Sequence, residues 1–226
     1  MYLLYLETST KLCSVALSKE DKLIASRRSL EEGYTHAENL HRFIDECLKE
    51  AGIKPTDLKA IVVSKGPGSY TGLRIGVSAA KGLAYALDIP LISLESLEVI
   101  AAAAQQSNPD FDLYLPMIDA RRMEVYTAAY SPKLEIVAGI NALVVDEDDF
   151  EDYSGKRVAY FGDGAEKCRE ILDAKAWSFI PGIDADARYM LSAGLNKYNS
   201  QEFENTAYFE PFYLKEFIAG KPKKLL

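Results

Sequence analysis

Two stretches of this chain open in the same way, and that repeat limits the fold more than any other feature of its 226 residues. An apolar run at 2–6 stops at Glu7 and passes a hydroxyl-rich turn, Thr8-Ser9-Thr10-Lys11. The chain then re-enters an apolar run at 12–17, turns at 19–22 and returns through 23–27. At 113–118 a second apolar run ends on an acid, Asp119, passes Arg121 and Arg122 into 125–130, turns at 131–133 and continues through 134–138. Short apolar runs bounded by polar turns read as strands. The two acids stand 112 positions apart, about half the chain. That period is too long for a solenoid and predicts two related lobes, each a sheet flanked by helices.

The intervening segments read as the helices those sheets need. Between 35 and 51, Leu40, Phe43, Ile44, Cys47, Leu48 and Ala51 form one stripe at helical spacing, with Gly52 as C-cap and Pro55 beyond. A buried strand at 60–63 leads through a glycine-rich loop into a second helix ending near Leu87. Pro90 opens a strand to 92, and Ser93 is placed to cap a third helix through 104. The polar stretch 105–112, with Asn108-Pro109, separates the halves. In the second half a strand at 158–161 meets Gly162-Asp163-Gly164, which predicts another helix. The expected fold class is α/β with two similar lobes, 1–108 and 109–226, the final segment being a candidate to pack back on the first lobe.

Composition narrows the function classes. With 48% hydrophobic and 27% charged residues the chain is not disordered as a whole. No apolar run reaches the roughly 18 residues of a membrane span, and the N-terminus lacks the pattern of a signal peptide. Cys13, Cys47 and Cys168 are unclustered and read as reduced thiols of a cytoplasmic protein. A formal charge of −8 argues against a chain that grips nucleic acid by itself.

The glycine loop runs Gly66-Pro67-Gly68-Ser69-Tyr70-Thr71-Gly72-Leu73-Arg74-Ile75-Gly76. A strand-to-helix loop of this kind can hold an anion on exposed N–H groups. It is neither a Walker loop nor the dinucleotide fingerprint. Two readings stand: Thr8, Ser9, Gly66, Gly68, Ser69 and Thr71 as a nucleotide-binding set, or glycines serving tight packing with Ser69 or Thr71 as the N-cap. In the helix that follows, Arg74, Ser78, Lys81 and Tyr85 make one narrow polar stripe. The rest is small or apolar, and Gly76 with Ala80, or Gly82 with Ala86, would admit another helix at close range. That helix is covered either within the lobe or by another protein.

Candidate catalytic groups do not assemble into a set. His36 and His41 are five apart, about 140° around a helix, and read as independent surface or interface residues rather than a metal pair. Glu7 and Asp119 end equivalent strands; they either face one cleft as acid and base or bond backbone amides at loop entries. The aromatic stretch 208–213 precedes Lys215 and the basic residues Lys221, Lys223 and Lys224, a solvated tail on the simplest reading.

Taken together, Leu6-Glu7-Thr8-Ser9, Cys13-Ser14-Val15-Ala16-Leu17, His36, the glycine loop, Ile118-Asp119-Ala120-Arg121-Arg122, Glu124-Val125-Tyr126 and Pro211-Phe212-Tyr213-Leu214-Lys215 closely resemble the bacterial TsaB family, formerly YeaZ. The resemblance implies the actin/Hsp70/sugar-kinase-like (ribonuclease H-like) fold. It also implies a role in making N6-threonylcarbamoyladenosine (t6A) in tRNA, as the non-catalytic partner of the paralogous transferase TsaD in a complex with the ATPase TsaE. TsaD holds a metal with a His-x-x-x-His pair, whereas the corresponding stretch here, 93–100, has no histidine. No catalytic or metal residue is therefore expected, nor a cofactor of the chain's own; ATP or ADP is placed at the complex interface and tRNA contact is indirect. Family pairing, with TsaD or as a homodimer when alone, uses the first two helices. That points to His36, Leu40, Phe43, Gly72, Arg74, Ile75, Gly76, Ala79 and Ala80, and predicts that a bulky residue at Gly76 or Ala80 abolishes pairing with the fold intact. The alternatives are an ATP-dependent small-molecule kinase and, third, a metalloprotease-like protein.

Overall fold

A computed structural model describes residues 1–30 and 36–215. The predicted helix start at Thr35 and the basic residues at 221–224 lie outside the described residues. The first sheet contains β1 (Tyr2–Glu7), β2 (Cys13–Lys19), β3 (Lys22–Ser29), β4 (Leu58–Gly66) and β5 (Leu91–Glu95), in the order β3-β2-β1-β4-β5. The second contains β6 (Leu113–Asp119), β7 (Glu124–Tyr130), β8 (Ile136–Val144), β9 (Val158–Phe161) and β10 (Ser178–Ile180), in the order β8-β7-β6-β9-β10. Each sheet has the same pattern of pairing: antiparallel through its first three strands, parallel through its last two. The repeat seen in sequence is thus a repeat of topology, and the chain has a duplicated, two-lobe α/β fold.

Strand alternation decides what each face meets. On β1, Leu4 and Leu6 turn toward α1 (His36–Ala51) and α2 (Tyr70–Leu87), packing with Leu40, Phe43, Ile44, Cys47, Val77 and Ala80. Burying each large apolar side chain of that α1 stripe stabilises the lobe by about 1.5–3 kcal/mol. Leu3 and Tyr5 turn the other way, onto a 3₁₀ turn (Ala187–Met190) and α5 (Leu191–Asn199). The C-terminal part therefore returns to cover the first lobe. Between the sheets runs α3 (Ser96–Ser107), with Leu97, Ile100, Ala101 and Ala104 against Tyr114, Ile118, Ala128 and Tyr130 of the second sheet and Val99 toward the first.

Three boundaries differ from the sequence reading. Ser93 does not cap α3; it lies within β5, opposite Val63, because β4 and β5 stay paired as far as Gly66 and Glu95. β8 runs well past 138, since β7 offers it partners up to Glu124 opposite Val144. After Gly164 only a 3₁₀ turn (Glu166–Cys168) and the five-residue α4 (Arg169–Asp173) form, with Ala165, Cys168 and Leu172 supplying a short buried stripe.

Candidate functional site

The glycine loop is filled by the chain itself. Ser69 N–H donates to the Ser9 carbonyl at 2.6 Å, and Thr8 Oγ1 donates to the Gly72 carbonyl at 2.8 Å. A Cβ at Gly68 would fall onto the Ser9 backbone, one at Gly72 onto the Thr8 carbonyl, and one at Gly76 onto Thr8 Oγ1. Thr8 and Ser9 are wholly buried in this contact. On the outer side Phe212 N–H donates to the Lys65 carbonyl at 2.7 Å, and a Cβ at Gly66 (φ +116°) would stand 2.6 Å from the Phe212 carbonyl. The second lobe repeats the device, for Cβ atoms at Gly162 and Gly164 would strike Met117 and Ile118 at the end of β6. In both lobes, glycines let the loop after the fourth strand lie on backbone at or just past the end of the first. Of the nucleotide-binding set expected from sequence, Thr8, Ser9, Gly66 and Gly68 pack against the chain's own backbone. Ser69 caps α2, accepting from Gly72 N–H at 3.3 Å, and Thr71 is exposed beside it.

The two acids also part company. Glu7 is fully buried, its Oε1 accepting from Ser9 N–H and Ser64 Oγ–H, each at 2.7 Å, while Oε2 has no hydrogen-bond partner. Burial pushes this carboxyl above its ordinary value, against the pull of those hydrogen bonds. Asp119 is 45% exposed, ion-paired to Lys167, and accepts from Arg121 N–H at 3.0 Å. They are loop-entry residues in different surroundings, not an acid–base pair. Among the described residues no group of three His, Cys, Asp or Glu side chains is placed to hold a metal ion.

The nine side chains expected at a partner surface divide sharply. His36 is buried, with Nε2–H donating to the Thr10 carbonyl at 2.9 Å, so it is not a surface histidine. Leu40, Phe43, Gly72, Gly76 and Ala80 are buried in the lobe's own core. A bulky residue at Gly76 or Ala80 would therefore damage the fold, which overturns the expectation that it would leave the fold intact. Exposed Arg74, half-buried Ile75 and Ala79 line an open groove of about 580 Å³ between α1 and α2. The groove's other members are Ala37 and His41 on α1, with Ser78, Gly82 and Leu83 on α2; the sequence reading offers Gly82 as a close-approach position and His41 as a surface or interface residue, and misses Ala37 and Leu83. Helical phase carries the signal. Gly76 and Ala80 share the stripe of Leu73 and Val77, whereas Gly82 and Ala86 share the face of Ser78 and Tyr85, which is 83% exposed.

Residues 204–215 tie these parts together. Lys81 Nζ donates to the Phe209 carbonyl at 2.7 Å, and Arg74 Nε to Tyr213 Oη at 3.2 Å. The Tyr213 ring lies 4.7 Å from that of Tyr70, and Lys215 crosses to the second lobe in an ion pair with Glu124. Glu124 closes the turn after β6, where Arg121 (φ +70°) and Arg122 (φ +53°) are both left-handed. That conformation costs a non-glycine residue about 1–2 kcal/mol.

The sequence matches the family described as TsaD, tRNA N6-adenosine threonylcarbamoyltransferase, over residues 32–180. It is 34% identical over 183 residues to the tRNA threonylcarbamoyladenosine biosynthesis protein TsaB of Bacillus subtilis, covering 76% of each chain. To the TsaB of Buchnera aphidicola it is 30% identical over 212 residues, covering 90% of this chain and 94% of that one. A solved structure from Pseudomonas aeruginosa, an uncharacterized protein with similarity to peptidase YEAZ, superposes with a TM-score of 0.83 at 26% identity, covering 95% of this chain and 99% of that one.

Proposed function

The chain belongs to the TsaB (YeaZ) group within the TsaD family, and on that premise we propose that it is a non-catalytic partner subunit of TsaD in t6A formation on tRNA. The observation that carries this reading is the open α1/α2 groove. Its lining is mostly small or apolar, it faces away from the lobe's own core, and it is flanked by the exposed ring of Tyr85. A partner helix entering there would pass over Gly82, where nothing lies within 4 Å of a Cβ, and Arg74 and His41 would supply polar contacts at its edge. The same surface serves a homodimer when TsaD is absent, and TsaE joins the assembled pair. On this reading nucleotide belongs to the interface with the partner, and the complex works in the cytoplasm. No helix among the described residues is long and apolar enough to cross a membrane.

A kinase of the same fold would need an open phosphate cradle, and here the loop that would form one is packed from both sides. The test is co-elution with TsaD and reconstitution of the modification, using Ser78→Arg and Gly82→Leu. Both positions are exposed, so melting temperature should hold while co-elution and modification are lost. Undiminished modification with either variant would refute the groove as the TsaD surface.

A further inference from the structure

The turn after β6 is left unused by everything above. Arg121 and Arg122 are, among the described residues, the only neighbouring pair of non-glycine residues that are both left-handed, where Asn and Gly are the usual occupants. Both are exposed, and neither guanidinium has a hydrogen bond or ion pair to another of the described residues. The acids beside them are already engaged: Asp119 with Lys167, and Glu124 with Lys215. The matching turn of the first lobe carries Lys11, which is exposed and whose field reaches Asp163, the residue that accepts from Asp119 N–H at 2.9 Å. The turns after β1 and β6 thus bring Lys11, Arg121 and Arg122 to one end of a chain whose net charge is −8. Nothing in the fold requires arginine at this turn, and turn chemistry disfavours it.

We propose that Arg121 and Arg122 contact the phosphodiester backbone of the RNA on which the complex acts. Guanidinium forks match phosphate oxygens two at a time, and a locally positive turn on an acidic protein suits a polyanion held mainly by another subunit. The proposal rests on the tRNA-pathway reading. It also replaces the expectation of purely indirect RNA contact, since overall charge governs long-range attraction and not what one turn does at contact distance.

The test uses the complex of this chain with TsaD and a labelled tRNA transcript, with affinity measured across a potassium chloride series. The variant is Arg121→Asn with Arg122→Gly, which gives the turn residues that favour its backbone and so should raise the melting temperature. Affinity should fall, and the slope of log K against log salt should become shallower by about 2, one for each phosphate contact removed. Keeping the turn backbone but losing the charge, Arg121→Gln with Arg122→Gln should show the same change in slope. An unchanged slope in both variants overturns the proposal. So does loss of TsaD co-elution with the slope retained, which would make the turn a protein contact. Reconstitution with the unaltered chain tests the pathway reading separately, because it asks only whether this subunit is required.

Discussion

Gly76 and Gly82 lie six residues apart on α2, and substitution by alanine should move stability in opposite directions. At Gly76 a Cβ would stand 3.3 Å from Thr8 Cβ, 3.4 Å from Thr8 Cγ2 and under 3.0 Å from Thr8 Oγ1. That hydroxyl is buried and bonded to the Gly72 carbonyl, so rotating it away breaks a hydrogen bond that nothing replaces. The lost bond costs about 1–3 kcal/mol and overpacking a similar amount, against about 1 kcal/mol returned by the better helix former. A net loss of about 3 kcal/mol lowers the melting temperature of a chain this size by roughly 6–12 °C. At Gly82 nothing lies within 4 Å, so alanine should stabilise by up to about 1 kcal/mol, raising the melting temperature by about 2–4 °C. Thermal denaturation followed by circular dichroism reads both. A double-mutant cycle isolates the cause: in a Thr8→Ala background, Gly76→Ala should cost at least about 1 kcal/mol less than in the parent. Equal stability of Gly76→Ala and parent, or strict additivity with Thr8→Ala, would refute the packing account of this loop.

Three further substitutions or reagents probe other parts of the fold. A buried carboxyl held above its ordinary value favours the folded state at low pH and loses that contribution as pH rises, so Glu7→Gln should gain on the parent between pH 4 and pH 8, read from urea midpoints. A parent and variant whose midpoints run parallel across that range would show that Glu7 is not raised. All three cysteines are buried, with the Cys13 thiol pushed up to about 12 and that of Cys47 to about 11 by burial. The native protein should therefore leave a thiol reagent unreacted at pH 8, while the denatured chain reacts at all three. Gly194→Ala places a Cβ 2.7 Å from the Tyr5 ring, where α5 lies on the first sheet, and should destabilise by about 1–3 kcal/mol in the same melts.

What the sequence discloses here follows from which interactions are local. Short apolar runs ending on Glu7 and Asp119 mark strands because a strand covered on both faces needs apolar side chains along its whole length, and the matching strand and turn after each identify the second lobe. The α1 stripe is visible for the same reason. Strand lengths are less so: β5 and β8 extend because a neighbouring strand offers partners, which is a property of the pair. The last segment's course across Lys81, Gly66 and Arg74 depends on contacts more than a hundred residues apart, so the sequence offers it as a candidate to pack back on the first lobe without showing where it lies.

The glycine loop shows how one local signal admits two readings. Closely spaced glycines declare that something approaches the backbone, and in isolation a phosphate and a peptide group make the same demand. In this chain the approaching group is the Thr8-Ser9 backbone on one side and Phe212 on the other. The second lobe shows the same packing. Gly162 and Gly164 meet Met117 and Ile118 in the same way, yet that loop leads into a 3₁₀ turn and a five-residue helix, too short to present an anion site of its own. A device that recurs in both lobes, but with a long helix behind it in only one, is explained by what both copies share: closing the end of each sheet against its own central strand.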